Sequence, residues 1–179
     1  MNFSFRRIAA PVMRHVFILK NPFEFLSAVY WILLDVTLFG FLSQAANQGP
    51  ASFLTPHVLL ICIVLWFSVA RGAIGSSIPL YRDLTDFNFI STIATPITTL
   101  EWMIAQLIIG TIQAAIGVST GFIGIKLLFG YNPLAIGWIV VPATLSLLLF
   151  GWIIGMITLS ILVWAGKKAQ PYIFMFPWL

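Results

Sequence analysis

The sequence predicts an all-α membrane protein, folded as a polytopic bundle of transmembrane helices. Hydrophobic residues make up 60% of the 179 residues and charged residues only 8%. Soluble domains carry roughly 25% charged residues, so this composition cannot furnish a water-exposed surface. The apolar residues also fall into long runs, and a run of about 20 residues is what one helix needs to cross the hydrocarbon core. Composition and run length together indicate a chain that buries its side chains in lipid.

Residues 1–22 are predicted to form an amphipathic helix on the cytoplasmic membrane surface. Apolar side chains recur every three or four positions, as on one face of a helix. They are Phe5, Ile8, Val12, Val16 and Leu19. Pro11 opposes the helix, since an interior proline costs about 3 kcal/mol. Asn21 and Pro22 are expected to end it before the membrane.

Four membrane spans are predicted, at residues 25–42, 57–78, 102–128 and 136–165. The apolar run that contains the last span is too long for one upright helix, so Pro142 is expected to separate an interfacial piece from it. Residues 130–133 are predicted to form a tight turn that makes the third and fourth spans antiparallel neighbours. Residues 169–179 are predicted to start a fifth span, so we expect the chain to be incomplete at its C-terminus.

The basic residues predict the orientation of these spans. Cytoplasmic loops carry an excess of Lys and Arg. One predicted side holds Arg6, Arg7, Arg14, Lys20, Arg82, Lys167 and Lys168, and Lys126 lies on the other. The N-terminus is therefore expected in the cytoplasm. Because the basic residues flank spans rather than form one patch, nucleic acid is not an expected partner and membrane lipids are.

Residues 79–101 are predicted to form a charged cytoplasmic loop between the second and third spans. Arg82, Asp83, Asp86 and Asn88 interrupt the apolar pattern here. From the residues alone, a solvated connector is the favoured interpretation of this loop.

Asp35 lies near the middle of the first predicted span, where a charged side chain costs about 2.5–3.5 kcal/mol. It must therefore face protein or water. Either it lines a substrate path with the deep aromatic residues Tyr30 and Trp31, or it is a hydrogen-bonded structural residue. Arg71 in the second span is expected to extend toward the cytoplasmic headgroups, with pairing to Asp35 as the alternative.

Small residues in the third and fourth spans repeat at spacings of three and four, which predicts close helix packing. They are Gly110, Ala114, Gly117, Gly121, Gly124, Gly151 and Gly155. Gln106 and Gln113 are interpreted as interhelical hydrogen-bonding residues rather than ligand-binding ones.

The sequence offers little for catalysis. It contains no phosphate-binding Gly-x-x-x-x-Gly-Lys-[Ser/Thr] loop, so it is not expected to hydrolyse ATP. One cysteine, Cys62, and two widely separated histidines, His15 and His57, do not make a metal site or a nucleophilic centre. We therefore expect no catalytic residue, no metal and no cofactor bound by this chain.

The order of these features resembles the permease subunit of type 2 ABC exporters. The likeness is carried in the first span by Tyr30-Trp31, Leu34-Asp35 and Phe39-Gly40-Phe41. After the second span it is carried by Leu84-Thr85-Asp86-Phe87-Asn88-Phe89-Ile90, by Thr95-Pro96-Ile97-Thr98 and by Glu101. Relatives often have glutamate and arginine where this chain has Asp83 and Asp86.

The resemblance implies an ABC-2 type permease fold with six spans, of which this chain holds four and the start of a fifth. A Phe-Tyr-Pro type motif beyond the fifth span is missing. The family implies a homodimer in the bacterial cytoplasmic membrane, where a separate ATPase subunit binds ATP and Mg. It also implies export of a polysaccharide, a glycolipid or a drug-like molecule. ATPase coupling is then expected at Asp83, Asp86, Phe87, Asn88, Phe89, Thr95 and Pro96.

The alternative is a membrane protein that works without ATP. It would be either an ion-coupled transporter with Asp35 as its proton site or a scaffold without transport activity. Ion-coupled carriers usually have more ionisable residues within the membrane than this chain does.

Overall fold

The computed structural model describes residues 4–46, 56–86, 94–133 and 137–175. The helices are α1 (Phe5–Leu19), α2 (Pro22–Ala46), α3 (Pro56–Thr85), α4 (Thr99–Phe129), α5 (Val140–Ala165) and α6 (Gln170–Met175), with a 3₁₀ turn at Gly166–Ala169. Within these ranges there is no strand. Four helices, α2 to α5, are long and apolar enough to cross a membrane. The prediction of an all-α, multi-pass membrane protein is confirmed at this level.

Helix α3 is the centre of the bundle and packs along α4, α5 and, less extensively, α2. Helices α4 and α5 scarcely touch each other, because α3 lies between them. The prediction that these two spans are antiparallel neighbours joined by a tight turn is therefore wrong. Gly130 ends α4 with a left-handed φ of 71°, and α5 begins only at Val140, so the connection is long enough to pass α3.

Backbone contacts explain why α3 holds two helices so closely. A Cβ atom added to Gly110 of α4 would lie 2.7 Å from the Gly72 carbonyl oxygen. A Cβ atom added to Gly151 of α5 would lie equally close, 2.7 Å, to the Val69 carbonyl oxygen. Only glycine permits these distances, so both helices approach the backbone of α3.

The small residues predicted to pack helices are all buried. They are Gly110, Ala114, Gly117, Gly121, Gly124, Gly151 and Gly155. The α4 residues do not all face one partner. Gly121 faces Val64 of α3, whereas Gly124 faces Leu33 of α2. One stripe of α4 thus serves two neighbouring helices.

Two prolines lie inside helices where the sequence predicted breaks. Helix α3 continues through Pro79 to Thr85, so the first part of the predicted 79–101 loop is helical. Residues 86–98 follow α3 and precede α4 in the sequence, and we call them the 86–98 connection; 87–93 lie outside the described part. An interior proline removes one amide donor and its ring crowds the carbonyl four residues earlier, and the ion pairs described below stabilise the helix beyond Pro79. Pro142 lies in the first turn of α5, where amides lack intrahelical acceptors anyway, so it does not separate an interfacial piece.

The C-terminal segment turns at Gly166 and continues as the short helix α6. Ile173 of α6 is buried in a cluster with Leu80 of α3 and with Leu159 and Leu162 of α5. These contacts fix α6 against the end of the bundle. Residues 176–179 lie outside the described part, and the fifth span stays a prediction.

Candidate functional site: a basic cavity at the α1 end

Helix α1 lies at the end of the bundle where α2 begins, α3 ends and α4 begins, which we call the α1 end. It packs mainly against α4 and less against α2. The predicted apolar face of α1 does not form one surface, since Ile8 is buried at 5% exposure whereas Phe5 is 79% exposed. Met13 and Phe17, one helical turn apart, are also exposed. Helix α1 therefore packs on the protein through one side and presents an apolar stripe outward through another.

Two short ion pairs join helices at the α1 end. Arg14 of α1 pairs with Asp83 of α3, with Nη2 2.9 Å from Oδ1. Nη2 of Arg82 in α3 lies 2.8 Å from both carboxylate oxygens of Glu24 in α2. Asp83 is nearly buried, while both members of the second pair are about one-third exposed. The charges that end the apolar part of α3 therefore fasten it to α1 and α2.

Glu101 connects the N-terminal segment to the start of α4 and is fully buried. Its Oε1 accepts a hydrogen bond from the Ser4 amide at 2.8 Å, and its Oε2 accepts one from the Thr98 amide at 2.9 Å. The Glu101 amide donates in return to Oγ1 of Thr98 at 3.2 Å, which completes a capping box. Arg7 Nη1 lies 3.9 Å from Oε2. A buried carboxylate is tolerated here because it accepts two amide hydrogen bonds and faces a cation.

His15 is the buried polar residue of α1, and its Nε2 lies 2.9 Å from the side-chain nitrogen of Gln113 in α4. An amide nitrogen only donates, so Nε2 accepts and the ring is neutral with its proton on Nδ1. Burial lowers the pKa of His15 below its ordinary value, and the positive charge of Arg82 lowers it further. The charge of Glu24 opposes this shift. His15 thus docks α1 in its uncharged form.

Gln106 of α4 forms the second polar contact in this region. With its amide nitrogen toward the Ser76 carbonyl oxygen, at 3.2 Å, its oxygen accepts from Nε1 of Trp102 at 3.3 Å. Both glutamines of α4 therefore bond to neighbouring helices, as the sequence indicates.

These elements enclose a cavity of about 690 Å³ between α1, the end of α3 and the start of α4. Its charged and polar lining residues are Arg6, Arg7, Arg14, His15, Arg82, Asp83, Asp86, Thr95 and Gln106. Its apolar lining includes Pro11, Ile18, Ile97, Trp102 and Ile109. The cavity therefore has a basic part beside an apolar part.

The cavity brings together part of the predicted ATPase-coupling set. Asp83, Asp86, Thr95 and Pro96 all line it. Asp83 is turned into the ion pair with α1, whereas Asp86, Thr95 and Pro96 are exposed. Phe87, Asn88 and Phe89 lie outside the described residues, so their coupling role stays a prediction.

The three residues predicted for a substrate path do not converge on this cavity. Tyr30 and Trp31 form an edge-to-face pair with ring centroids 5.7 Å apart, and both are more than half exposed on α2. Asp35 interacts electrostatically with Arg71 of α3. The Arg71 Cγ lies 3.5 Å from the Cβ position of Gly117 in α4, so this arginine is turned into the bundle. This interaction agrees with the alternative interpretation of Arg71, pairing with Asp35, and extension to the headgroups stays a prediction.

Sequence reasoning missed most of the residues that hold the α1 end together. The capping box could have been found, because Thr98 and Glu101 form an [Ser/Thr]-x-x-Glu pattern just before an apolar run. The ion pairs could not, since Glu24 and Arg82 are 58 positions apart and no local pattern joins them.

Comparison of the chain with protein-family models, with curated proteins and with solved structures finds no match. Within the described part of the chain, no three side chains of the kinds that bind metals come together. The geometry at the α1 end is therefore the basis for a functional proposal.

Proposed function

We propose that this chain is the permease subunit of an ATP-driven exporter, with the α1 end in the cytoplasm and the 86–98 connection as the docking point of a separate ATPase. The observation that carries the proposal is the position of that connection. It lies in the sequence between the central helix α3 and α4, at the end where α1 contacts both helices. The resemblance in sequence supplies the class of function.

The charge distribution supports the orientation. The end that carries α1 has the arginines of that helix and Arg82, whereas Lys126 lies in the last turn of α4 at the opposite end. By the positive-inside rule, the arginine-rich end is the one expected in the cytoplasm. A cytoplasmic ATPase would then have access to the 86–98 connection.

The ion pairs support mechanical coupling. A docked subunit that displaced the 86–98 connection would act on the end of α3, where Arg82 and Asp83 bind α2 and α1. Because α4 and α5 both pack on α3, a shift of α3 would be transmitted to three other spans. The energy would come from hydrolysis of ATP, which the partner would bind together with Mg.

The proposal includes a second permease copy. In α2, only 18% of the most apolar stretch is buried within the chain, compared with 56% in α3. A weakly covered span with paired aromatic residues such as Tyr30 and Trp31 leaves a face available to a partner in the membrane. The substrates that the resemblance implies are polysaccharides, glycolipids or drug-like molecules.

The test is co-purification of the full-length protein with an ATPase subunit of the ABC class, identified by its phosphate-binding loop. We expect the association to be lost when Asp86, Asn88 and Phe89 are replaced by alanine. The matched control replaces Asn132 and Lys126 at the opposite end and should keep the association. If no such ATPase co-purifies, or if both variants behave alike, the proposal is wrong.

A second candidate, an ion-coupled carrier, is favoured by the electrostatic interaction between Asp35 and Arg71 within the spans. A membrane-embedded acidic residue with a basic partner is a common element of proton-coupled transport. Transport that persists without ATP, collapses when the proton gradient is dissipated and is lost in Asp35→Asn would support the carrier. Absence of any transport would instead favour a scaffold.

A further inference from the structure

We infer that the cavity at the α1 end binds the phosphate group of an anionic lipid whose acyl part lies against the apolar lining and α1. This inference does not rest on the proposed transport function. It rests on the charge of the lining, on one buried guanidinium nitrogen and on the position of the cavity beside an exposed apolar stripe.

The lining has more basic than acidic side chains. Four arginines and two aspartates line the cavity, and His15 is held neutral by its hydrogen bond to Gln113. Arg14 is compensated by Asp83, and Arg82 by Glu24, which lies outside the lining. The arginines of the first turn, Arg6 and Arg7, are the remaining groups that could bind an anion. Arg7 also faces the Glu101 carboxylate at 3.9 Å, and Asp86 is the other opposing charge nearby.

The side chain of Arg7 gives the most specific evidence that this cavity binds an anion. Its Nη1 is buried and has no hydrogen-bond acceptor among the described residues. The nearest carboxylate oxygen, Oε2 of Glu101, lies 3.9 Å away and already accepts from the Thr98 amide. A buried N–H group without an acceptor is unfavourable, and a phosphate oxygen would supply one. Arginine also matches phosphate geometry better than any other side chain does.

The apolar part of the cavity distinguishes a lipid from a soluble anion. Ile97, Trp102 and Ile109 line it beside the basic part. Phe17 and Met13 of α1 are exposed on an apolar stripe of the same helix that lines the cavity, so the cavity borders a surface suited to the membrane interface. The volume of about 690 Å³ suits a headgroup with the first part of an acyl chain.

A second cavity lacks this combination of basic and apolar lining residues. It measures about 530 Å³, lies between α4 and the start of α5, and has Phe122, Trp138 and Leu145 among its lining residues. It has no charged lining residue. An anionic lipid phosphate would therefore be bound at the first cavity and not at the second.

The experiment is calorimetric titration of the purified full chain in a neutral detergent with short-chain phosphatidic acid. Phosphatidylcholine with the same acyl chains and inorganic phosphate are titrated separately. We expect phosphatidic acid to bind about tenfold more tightly than phosphatidylcholine, as one charge-assisted hydrogen bond would give. Inorganic phosphate should bind more weakly than phosphatidic acid because it lacks the apolar part.

Variants locate the site. Arg7→Gln should weaken phosphatidic acid binding about tenfold, and Arg7→Lys should weaken it less. Lys126→Gln removes the same charge at the opposite end and should bind as the unchanged chain does. Because Arg7 also faces Glu101, Arg6→Gln is a second variant, whose exposed side chain is not needed for packing. It should also weaken binding while leaving helicity unchanged.

Three results would overturn the inference. Equal affinity for phosphatidylcholine, whose phosphate is neutralised by the choline cation, would show that the net negative charge of the headgroup is not recognised. Equal affinity for inorganic phosphate would indicate a site for a free anion rather than a lipid. Equal binding by the Arg6, Arg7 and Lys126 variants would place the lipid elsewhere. None of these measurements involves the ATPase. The lipid-binding inference and the proposed transport function can therefore be refuted independently of each other.

Discussion

Replacement of Gly151 by alanine tests whether α5 is seated directly on the backbone of α3. The added Cβ would lie 2.7 Å from the carbonyl oxygen and 3.0 Å from the Cα atom of Val69. Non-bonded carbons prefer separations of about 3.5–4.0 Å, so the two helices must move apart by roughly 0.5–1 Å. Neither contacted atom can rotate away, because both belong to the backbone. Forcing a methyl group into such a contact costs about 1–3 kcal/mol.

Gly72→Ala in α3 is the matched control. Its Cβ would meet the Leu148 Cδ1 at 3.3 Å, a side-chain atom that can shift, and backbone atoms only at 3.7 Å. Both substitutions gain the same helix propensity, up to about 1 kcal/mol, so that gain cancels in the difference between them. We expect Gly151→Ala to be about 1–3 kcal/mol less stable than Gly72→Ala, which is roughly a tenfold to hundredfold difference in the unfolding constant.

The measurement is reversible unfolding in mixed micelles with increasing SDS, followed by far-ultraviolet circular dichroism. Unfolding constants of the two variants and the unchanged chain are compared at the same micelle composition. Equal stability of the two variants, or a more stable Gly151→Ala, would refute the packing of α5 on the α3 backbone.

Three other substitutions test the α1 end. Glu101→Ala leaves the Ser4 and Thr98 amides without acceptors and should lower the stability by about 1–3 kcal/mol. Faster deuterium uptake in the N-terminal segment would report this loss. Unchanged uptake would show that Glu101 does not hold that segment against α4. Because the pKa of His15 is lowered, docking of α1 should be complete above about pH 6.5 and be lost as the pH falls below it. Protease sensitivity of α1, measured against pH, would report its release. His15→Gln can still form the hydrogen bond to Gln113 and should remove the pH dependence. A pH dependence that persists in this variant would exclude His15 as its source. Arg82→Ala should lower the stability by only about 0.2–1 kcal/mol in SDS unfolding, because the ion pair of Arg82 with Glu24 is partly exposed. A double variant that exchanges the two charges should restore the lost stability. A larger loss that the double variant does not restore would show that Arg82 stabilises the protein by some other contact.

The sequence was sufficient for properties that depend on neighbouring residues. Helical spans follow from run length and hydropathy, and they are found at α2 to α5. The spacing of small residues indicated which sides of α4 and α5 would be buried. The structure differs from the sequence-based expectation at two prolines. The sequence predicts breaks at Pro79 and Pro142, but Pro79 lies in a helix supported by ion pairs and Pro142 in a first turn that needs no amide donor.

Only the tertiary structure decided which helices pack against the buried sides of α4 and α5. The sequence determined that the chain is helical and membrane-spanning, because lipid requires every spanning segment to be apolar and to satisfy its own backbone. It did not determine that α3 lies between α4 and α5, or that Glu101 holds Ser4 across 97 positions. Such contacts depend on which helices meet, and pairs of charges distant in sequence carry no local pattern. The basic cavity exists only because those contacts bring α1 against α3 and α4.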